Sequence, residues 1–560
     1  MATAEHPVDL AVIGAGPAGL AASITASEAG LSVLVLDMAE RIGGQYWRHQ
    51  QDETTERGDR SHRHGWSTFV GLRTSFDAHV RAGRIAHRAS HTVWSVERAG
   101  ALFRVHAIGG ERDRLRYLAH ARAVLVATGA HDRQLPFPGW TLPGVMAGGG
   151  AQSLLKGSGV APGRRAVVAG TGPFLLPVAD TLLMAGVNVV EVVEANAPLR
   201  MLGAPAAIPA GLVKLPEAAG YARRLREHRV RVSTAQAVVA ASGQERLSAV
   251  TVARVDERWR VVAGTEREVR CDLLTVGFGF TPQVELALAA GCETGIGSDG
   301  SLVVSTDSAG RTSVPGVYAA GETTGVGGAD LALLEGRLCG AAVIQDLRGG
   351  AATGRGGRAG VGERIERRAR RRALEARRRS LLSFAAAVNG VFSIKPGWEE
   401  WLDPETLICR CEEVPYARIR TALDELGAGD ARTVKLLARP GMGLCQGRIC
   451  GAAVARLVAS RRTAGEAGSG ASVGFSLASG AAQEDLIALS RRPLGSPVPL
   501  SHLAAFDTRI PPAADPPGPG KAGDRPDPVK CGDPPDAGGA GDPPDPGEAD
   551  AGPTLGECGV

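Results

Sequence analysis

Four cysteines in the last third of the chain are spaced to hold metal: Cys409-Arg410-Cys411, and beyond Leu444 the run Cys445-Gln446-Gly447-Arg448-Ile449-Cys450. Thiolates in a C-x-C and C-x4-C arrangement can share two irons, two sulfurs on each, in a 2Fe-2S cluster. A tetrahedral zinc site uses the same ligand set. Between the pairs, Tyr416 to Leu426 predicts a helix. Arg439-Pro440-Gly441-Met442-Gly443 predicts a tight loop whose amides can point at cluster sulfurs and stabilise the more negative reduced state. At the other end of the chain, Gly14, Gly16 and Gly19 form a G-x-G-x-x-G turn, where missing side chains let backbone N–H groups approach a pyrophosphate at a helix start.

The elements that must position these residues are legible around them. Val8 to Asp37 reads as strand, glycine turn, helix and second strand. Pro17 sits at a first helical position where a missing N–H costs little. Ala18 keeps the helix slim, and the second strand ends in Asp37, whose carboxylate can accept ribose hydroxyls and favours a ribose without a 2'-phosphate. Gly43-Gly44-Gln45 predicts a turn beside the same ligand. His49, His62 and His64 lie in a polar stretch without ligand spacing and are expected to be solvated. Segments near His91 to Glu97 and Leu102 to Ala107 alternate as in a small antiparallel sheet. Ala123 to Ala130 is a buried strand whose last residues, including Thr128 and Gly129, are small enough to lie against a ligand.

With these stretches the sequence resembles the two-dinucleotide-binding-domain, glutathione-reductase-like flavoproteins, an α/β fold. The resemblance implies FAD on the first fingerprint and a later return to the FAD domain. Asp272 to Phe280 is expected to be that return, and Val314 to Leu338 resembles the closing motif, with Gly321 and Glu322 toward the flavin's ribityl and pyrophosphate region. The wider family usually has Asp at position 322; Glu reaches one methylene further. Arg165 to Glu194 is a second strand-turn-helix-strand unit with Gly170 and Gly172, but Leu175 replaces the third glycine, which serves close helix-to-strand packing. Leu175 is expected to push the helix outward and makes NAD(P) there doubtful; Glu194 leaves room for another adenine nucleotide, and an empty structural domain is the alternative.

The cysteine module resembles bacterioferritin-associated-ferredoxin-like 2Fe-2S domains. Residues 7–506 together resemble the alpha-type subunits of the hydrogen cyanide synthase, opine oxidase and dye-linked proline dehydrogenase family, through ATGAHDRQLPFPGWTLPGVMAGGGAQSLLK, VVAGTGPFLLPVA, CRCEEV and GMGLCQGRIC. Residues 1–150 and 271–347 are expected to build the FAD domain around a nucleotide domain at 151–270. An Arg-rich helical linker at 348–395, a small helical 2Fe-2S domain at 396–470, a docking segment at 471–506 containing a strand near Arg491 to Leu500, and a disordered Pro/Gly/Asp tail at 507–560 follow.

Composition sets bounds on partners. A formal net charge of +4 over 560 residues is too small to imply nucleic acid. Eleven arginines crowd Arg355 to Arg379, but aromatic and base-reading residues are missing, so a solvated connecting helix is expected. The longest apolar region, Ala166 to Val193, is broken by Gly170, Gly172, Pro173, Pro177 and Asp180, so it does not read as a membrane span. The nine cysteines suit a reducing compartment, hence a cytoplasmic setting, with peripheral membrane contact possible. Cys271, Cys292 and Cys339 are expected in the core, and Cys531 and Cys558 in the tail are not ligands. No C-x-x-C lies near the flavin motifs, which argues against a disulfide reductase.

The expected function is an electron-transferring subunit that exchanges electrons between FAD and a 2Fe-2S cluster. The resemblance implies a separate FAD-containing subunit that oxidises a C–N bond, with a quinone or other acceptor downstream. A self-contained NAD(P)H-dependent flavin reductase and an assembly scaffold are the alternatives. No base-and-nucleophile pair marks a catalytic site in the sequence.

Overall fold

Apolar runs punctuated by glycine turns assemble here into two main sheets, one mixed and one parallel. The computed structural model describes residues 2–3, 6–50, 65–110, 115–197, 208–349, 361–467 and 483–504. Strand Val8–Ile13 pairs parallel with Val33–Leu36 on one side and with the second half of Leu115–Val126 on the other; Ile85–Arg88 extends the sheet beyond Val33–Leu36. Leu115–Val126 is long enough to serve two layers. Its first half pairs antiparallel with Leu102–Gly109, which pairs with His91–Ala99, and Val124 to Val126 pair parallel with Val317–Ala319. Buried on both faces, the central strands are continuous apolar runs, as parallel strands under helices must be.

Helix Pro17–Glu28 lies against the long helix Ala329–Gly349. The crossing is close because Gly336 and Gly340 offer no side chain. A Cβ on Gly336 would run into the Ala18 carbonyl, and one on Gly340 would come within 2.9 Å of the Ala22 carbonyl oxygen. This packing ties the start of the chain to the motif at Gly321 and Glu322.

The second sheet has five parallel strands, in order Arg231–Thr234, Asn188–Glu194, Arg165–Gly170, Leu273–Gly277 and Val145–Ala147. It corrects one expectation: the strand at Asp272 to Phe280 does not return to the first sheet. Leu273 to Gly277 pair with Ala166 to Gly170. An apolar run such as LLTVG fits either sheet, and only the register selects one. The return starts at Phe280–Pro282, paired antiparallel with Ala130–Asp132. Leu175 is accommodated differently from expectation too: it is buried, and Gly277 opposite it has no side chain, so a Cβ there would lie 3.2 Å from Leu175 Cδ2.

The cysteine module consists of helices Tyr416–Asp424, Ala431–Ala438 and Gly451–Ala467 and a short pair of strands, Leu407–Cys409 and Val414–Pro415. Asp430 caps the second helix, accepting from the Thr433 amide at 2.9 Å. Upstream, Trp398 and Trp401 are buried. Trp401 stacks on Trp259 of the second nucleotide domain and donates to its carbonyl at 2.9 Å, so these aromatics anchor the module to the body of the protein.

Three further expectations are corrected. His49 is half-buried against Trp66 and Phe69, and it is not a solvated surface residue. The basic linker forms helix Val361–Val391, but Arg378 on it is mostly buried in an ion pair with Glu335 at 2.9 Å. The docking segment has no strand among the described residues; helices Gln483–Ser490 and Leu500–Ala504 flank an irregular stretch pinned by Gly495, whose amide donates to the Trp94 carbonyl at 2.8 Å. His62, His64, residues 355–360 and the tail with Cys531 and Cys558 lie outside the described residues.

Candidate functional site

The first glycine turn is shaped by contacts that only glycine permits. Gly14 has φ +108°, and a Cβ there would strike the Ala127 carbonyl; one on Gly19 would strike Gly14. Gly44, at φ +61°, faces Gly16 so closely that a Cβ would be 2.9 Å from its Cα. The result is a bare backbone cleft at the N-terminus of helix Pro17–Glu28, with Pro17 at its first turn and Ala18 buried behind it. That donor geometry fits a pyrophosphate. Asp37 is buried and accepts from the amides of Ala15 and Ala39, so its carboxylate fixes the turn. Burial raises its carboxyl, with those two amides opposing. Gln45 is exposed and accepts from Arg48 at 2.7 Å.

The other wall comes from far along the chain. Thr128 donates to the Gln283 carbonyl at 2.7 Å, and the Gly129 amide donates to the fully buried Thr323 hydroxyl at 3.2 Å. Gly321 and Glu322 lie in a short turn held by Glu335, which accepts from the Gly321 amide and the Thr324 hydroxyl, each at 3.0 Å. Neither Glu335 nor its partner Arg378 stands out in the sequence. Burial pushes the Glu322 carboxyl up to about 7, with the Gly328 amide opposing. An acid that ionises at its ordinary value unfolded and near 7 folded weakens the fold as pH rises through that window. Glu322→Gln is therefore expected to be more stable than wild type at pH 8, by on the order of 1–3 kcal/mol. The difference should shrink toward pH 5, and thermal melts at the two pH values check the sign.

The second glycine turn is covered by the chain itself. Glu194 is buried and accepts from Thr171, the Gly172 amide and the Asn196 amide, each at 2.8 Å. The end of the basic helix lies on this turn: Thr171 donates to the Phe392 carbonyl at 3.4 Å, Asn196 donates to that of Ser393 at 3.3 Å, and a Cβ on Gly172 would meet Phe392 at 3.9 Å. Glu194 thus fixes its turn as Asp37 does, but here the end of the basic helix lies over the open side of the turn.

At the cysteine module, Cys411 Sγ lies 3.8 Å from both Cys409 Sγ and Cys445 Sγ. The Gly441 amide donates to Cys409 at 3.4 Å, and a Cβ on Gly443 would come within 2.6 Å of Cys411 Sγ. The loop is therefore a cradle for sulfur. Cys450 donates to Cys409, which holds the Cys409 thiol down to about 5 and pushes that of Cys450 up. Metal ligation requires the thiols to be deprotonated, and the positive charge of bound metal ions favours that form. The sulfurs form a string: among the described residues no three His, Cys, Asp or Glu side chains close on one ion position. By contrast Cys271, Cys292 and Cys339 are buried singly, with thiols raised by burial.

The two sites are connected. Two residues beyond Gly129, the His131 ring shares a 3.0 Å hydrogen bond with the carbonyl of Arg448, between Cys445 and Cys450. Glu285 pairs with Arg448 at 3.0 Å and Arg492 at 2.7 Å, and Trp140 donates to the Leu407 carbonyl at 2.7 Å. None of these partners is expected from sequence; the pairing of Glu285 with arginines some 160 and 207 positions away leaves no local signal.

Comparison with known proteins gives two family matches: pyridine nucleotide-disulphide oxidoreductase over residues 8–336, and BFD-like 2Fe-2S binding domain over residues 407–460. The second sets zinc aside. Hydrogen cyanide synthase subunit HcnB of Pseudomonas aeruginosa is 34% identical over 454 residues, covering 78% of this chain and 90% of that one. An opine oxidase subunit of Rhizobium meliloti is 32% identical over 464 residues, covering 81% and 82%. Among solved structures, L-proline dehydrogenase from P. horikoshii matches with TM-score 0.55 and 20% identity, over 83% of this chain and 76% of that one, a likeness of fold.

Proposed function

Because the chain belongs to the pyridine nucleotide-disulphide oxidoreductase family, alongside the HcnB subunit of hydrogen cyanide synthase and the related opine oxidase chain, we propose that it is the electron-relaying subunit of an amino-acid, opine or amine dehydrogenase. It joins an FAD-dependent oxidoreductase domain to a BFD-like 2Fe-2S domain. Bound FAD supplies two-electron chemistry with one-electron release, and a bound 2Fe-2S cluster carries single electrons.

The chain's own residues hold and insulate these groups. Gly14, Gly16 and Gly19 clear the backbone for the pyrophosphate, with Pro17 and Ala18 starting the helix whose N-terminus faces it. Asp37 holds the ribose; Gly44 and Gln45, Thr128 and Gly129, and Gly321 and Glu322 line the remainder. Cys409, Cys411, Cys445 and Cys450 ligate the cluster, and the Gly441 amide stabilises added negative charge on sulfur. The observation that carries the reading is the His131 to Arg448 hydrogen bond, which joins the strand after Gly129 to the peptide between two cluster ligands.

The partner is a separate flavoprotein subunit that performs the C–N oxidation. Cys411 is exposed, and Met442 and Leu444, on either side of Gly443 next to Cys445, are exposed apolar residues; Leu444 is 81% exposed. An apolar rim at an exposed redox centre suits a docking electron partner. A quinone or another acceptor takes the electrons onward. Among the described residues no helix is long and apolar enough to cross a membrane. The setting is cytoplasmic, at most peripheral to the membrane.

The covered second glycine turn disfavours a self-contained NAD(P)H reductase. Under anaerobic conditions NADH is expected to leave the flavin absorption unbleached, whereas the complex co-purified with its partner should bleach with one member of a panel of amino acids and opines. Rapid bleaching of the isolated chain by NADH would overturn the assignment.

A further inference from the structure

A second polar centre lies where the flavin domain meets the cysteine module, in a small cleft with about 50 Å³ of free volume. Three parts of the chain line it: the stretch after the flavin cleft with His131, Arg133 and Glu285, the start of helix Gly451–Ala467 with Arg456, and the docking segment with Arg492; Arg448 completes the wall. The volume admits roughly three or four waters, or one group of phosphate or carboxylate size.

The charges do not balance. Arg133 is paired with Asp299 at 2.5 Å. Arg448 and Arg492 share the single carboxylate of Glu285. Among the described residues Arg456 makes no hydrogen bond or ion pair, and its nearest charged neighbours are Arg133, which repels it, and Asp299, already engaged. Burial and Arg133 pull the Arg456 guanidinium down to about 10, and burial lowers the His131 ring. The stretch 468–482 that follows the helix contains no Asp or Glu. Four guanidinium groups thus stand against two carboxylates at a cavity with its own space, and the partly buried Arg456 has no counter-ion among the described residues.

We propose that this cleft binds one small oxyanion, a phosphate or a carboxylate, with Arg456 as its principal ligand; Arg133, Arg448 and Arg492, whose own N–H groups are largely engaged by protein oxygens, add positive charge around it. Guanidinium groups pair with such anions through two parallel hydrogen bonds. The anion bridges the strand that follows Gly129 to the helix that begins directly after Cys450, so it fastens the flavin and cluster domains together. Its negative charge also makes the cluster harder to reduce.

The test uses the full chain as purified with its cofactors. Thermal melts are recorded against inorganic phosphate and, separately, acetate, with ionic strength held constant by potassium chloride. A saturable rise in melting temperature with either anion is expected, and the arm that saturates at lower concentration identifies the group. Arg456→Gln should keep the flavin and iron–sulfur absorption and raise the half-saturating concentration about tenfold or more. Arg456→Lys retains the charge without the fork and should fall between, which keeps the question open to test if the glutamine variant folds poorly. The cluster's reduction potential should become more negative on adding the anion to wild type. Melting curves indifferent to both anions, or an equal response in Arg456→Gln, would overturn the proposal; the basic set would then serve to offset the cluster's own charge.

Discussion

Replacing Cys445 with serine is expected to remove the iron–sulfur absorption while the flavin bands remain. Cys445 is one end of the sulfur string, 3.8 Å from Cys411. A serine alkoxide is a poor substitute for a soft thiolate toward iron. The flavin cleft should survive because Gly14, Asp37 and Thr128 make no contact with this loop in their hydrogen bonding. Electron delivery to one-electron acceptors should then fall to the level of free flavin chemistry. The module should also melt earlier, since metal binding and folding are coupled in small ligand-rich domains. Iron and acid-labile sulfide analysis checks this directly. A Cys445→Ser protein with undiminished iron and an unchanged visible spectrum would remove Cys445 from the ligand set.

Gly19→Ala is expected to yield protein without bound FAD and with stability reduced by about 3 kcal/mol or more, at the upper end of what overpacking a core costs. The added methyl would collide with the Gly14 carbonyl and come within 3.2 Å of Val12 Cγ1. Neither can move, because the Gly14 amide donates a 2.8 Å hydrogen bond to the Leu36 carbonyl and Val12 is in the centre of the sheet. Gly30→Ala is the control. Gly30 has φ +82° but nothing within 4 Å of a new Cβ, so that change costs only the left-handed backbone penalty, about 1–2 kcal/mol, and should leave the flavin bound. Flavin content and thermal melts of both variants distinguish crowding from backbone strain. Equal flavin loss in both would mean that the turn tolerates no change for reasons other than the contact at Gly14.

The motifs that carry cofactor chemistry are readable because their geometry is local. Gly14, Gly16 and Gly19 are close enough in the chain that one turn determines where their amides point, and Cys409 with Cys411 are two residues apart on one short strand end. The loop at Gly441 is legible as a tight turn, but packing decides that its amide reaches Cys409, 32 positions away. The tertiary structure alone decided the relations between distant segments. An apolar strand at Leu273 to Gly277 carries no mark of which sheet it will join, since hydrogen-bond register is a property of pairs of strands. That Phe392 and Ser393 cover the second glycine turn, that Arg378 serves Glu335, and that Glu285 clasps Arg448 and Arg492 follow from packing elements up to 221 positions apart. Charge along helix Val361–Val391 reads as solvated because sequence shows no burial; Arg372, Arg377 and Arg379 are exposed accordingly, and burial draws Arg378 into the structure.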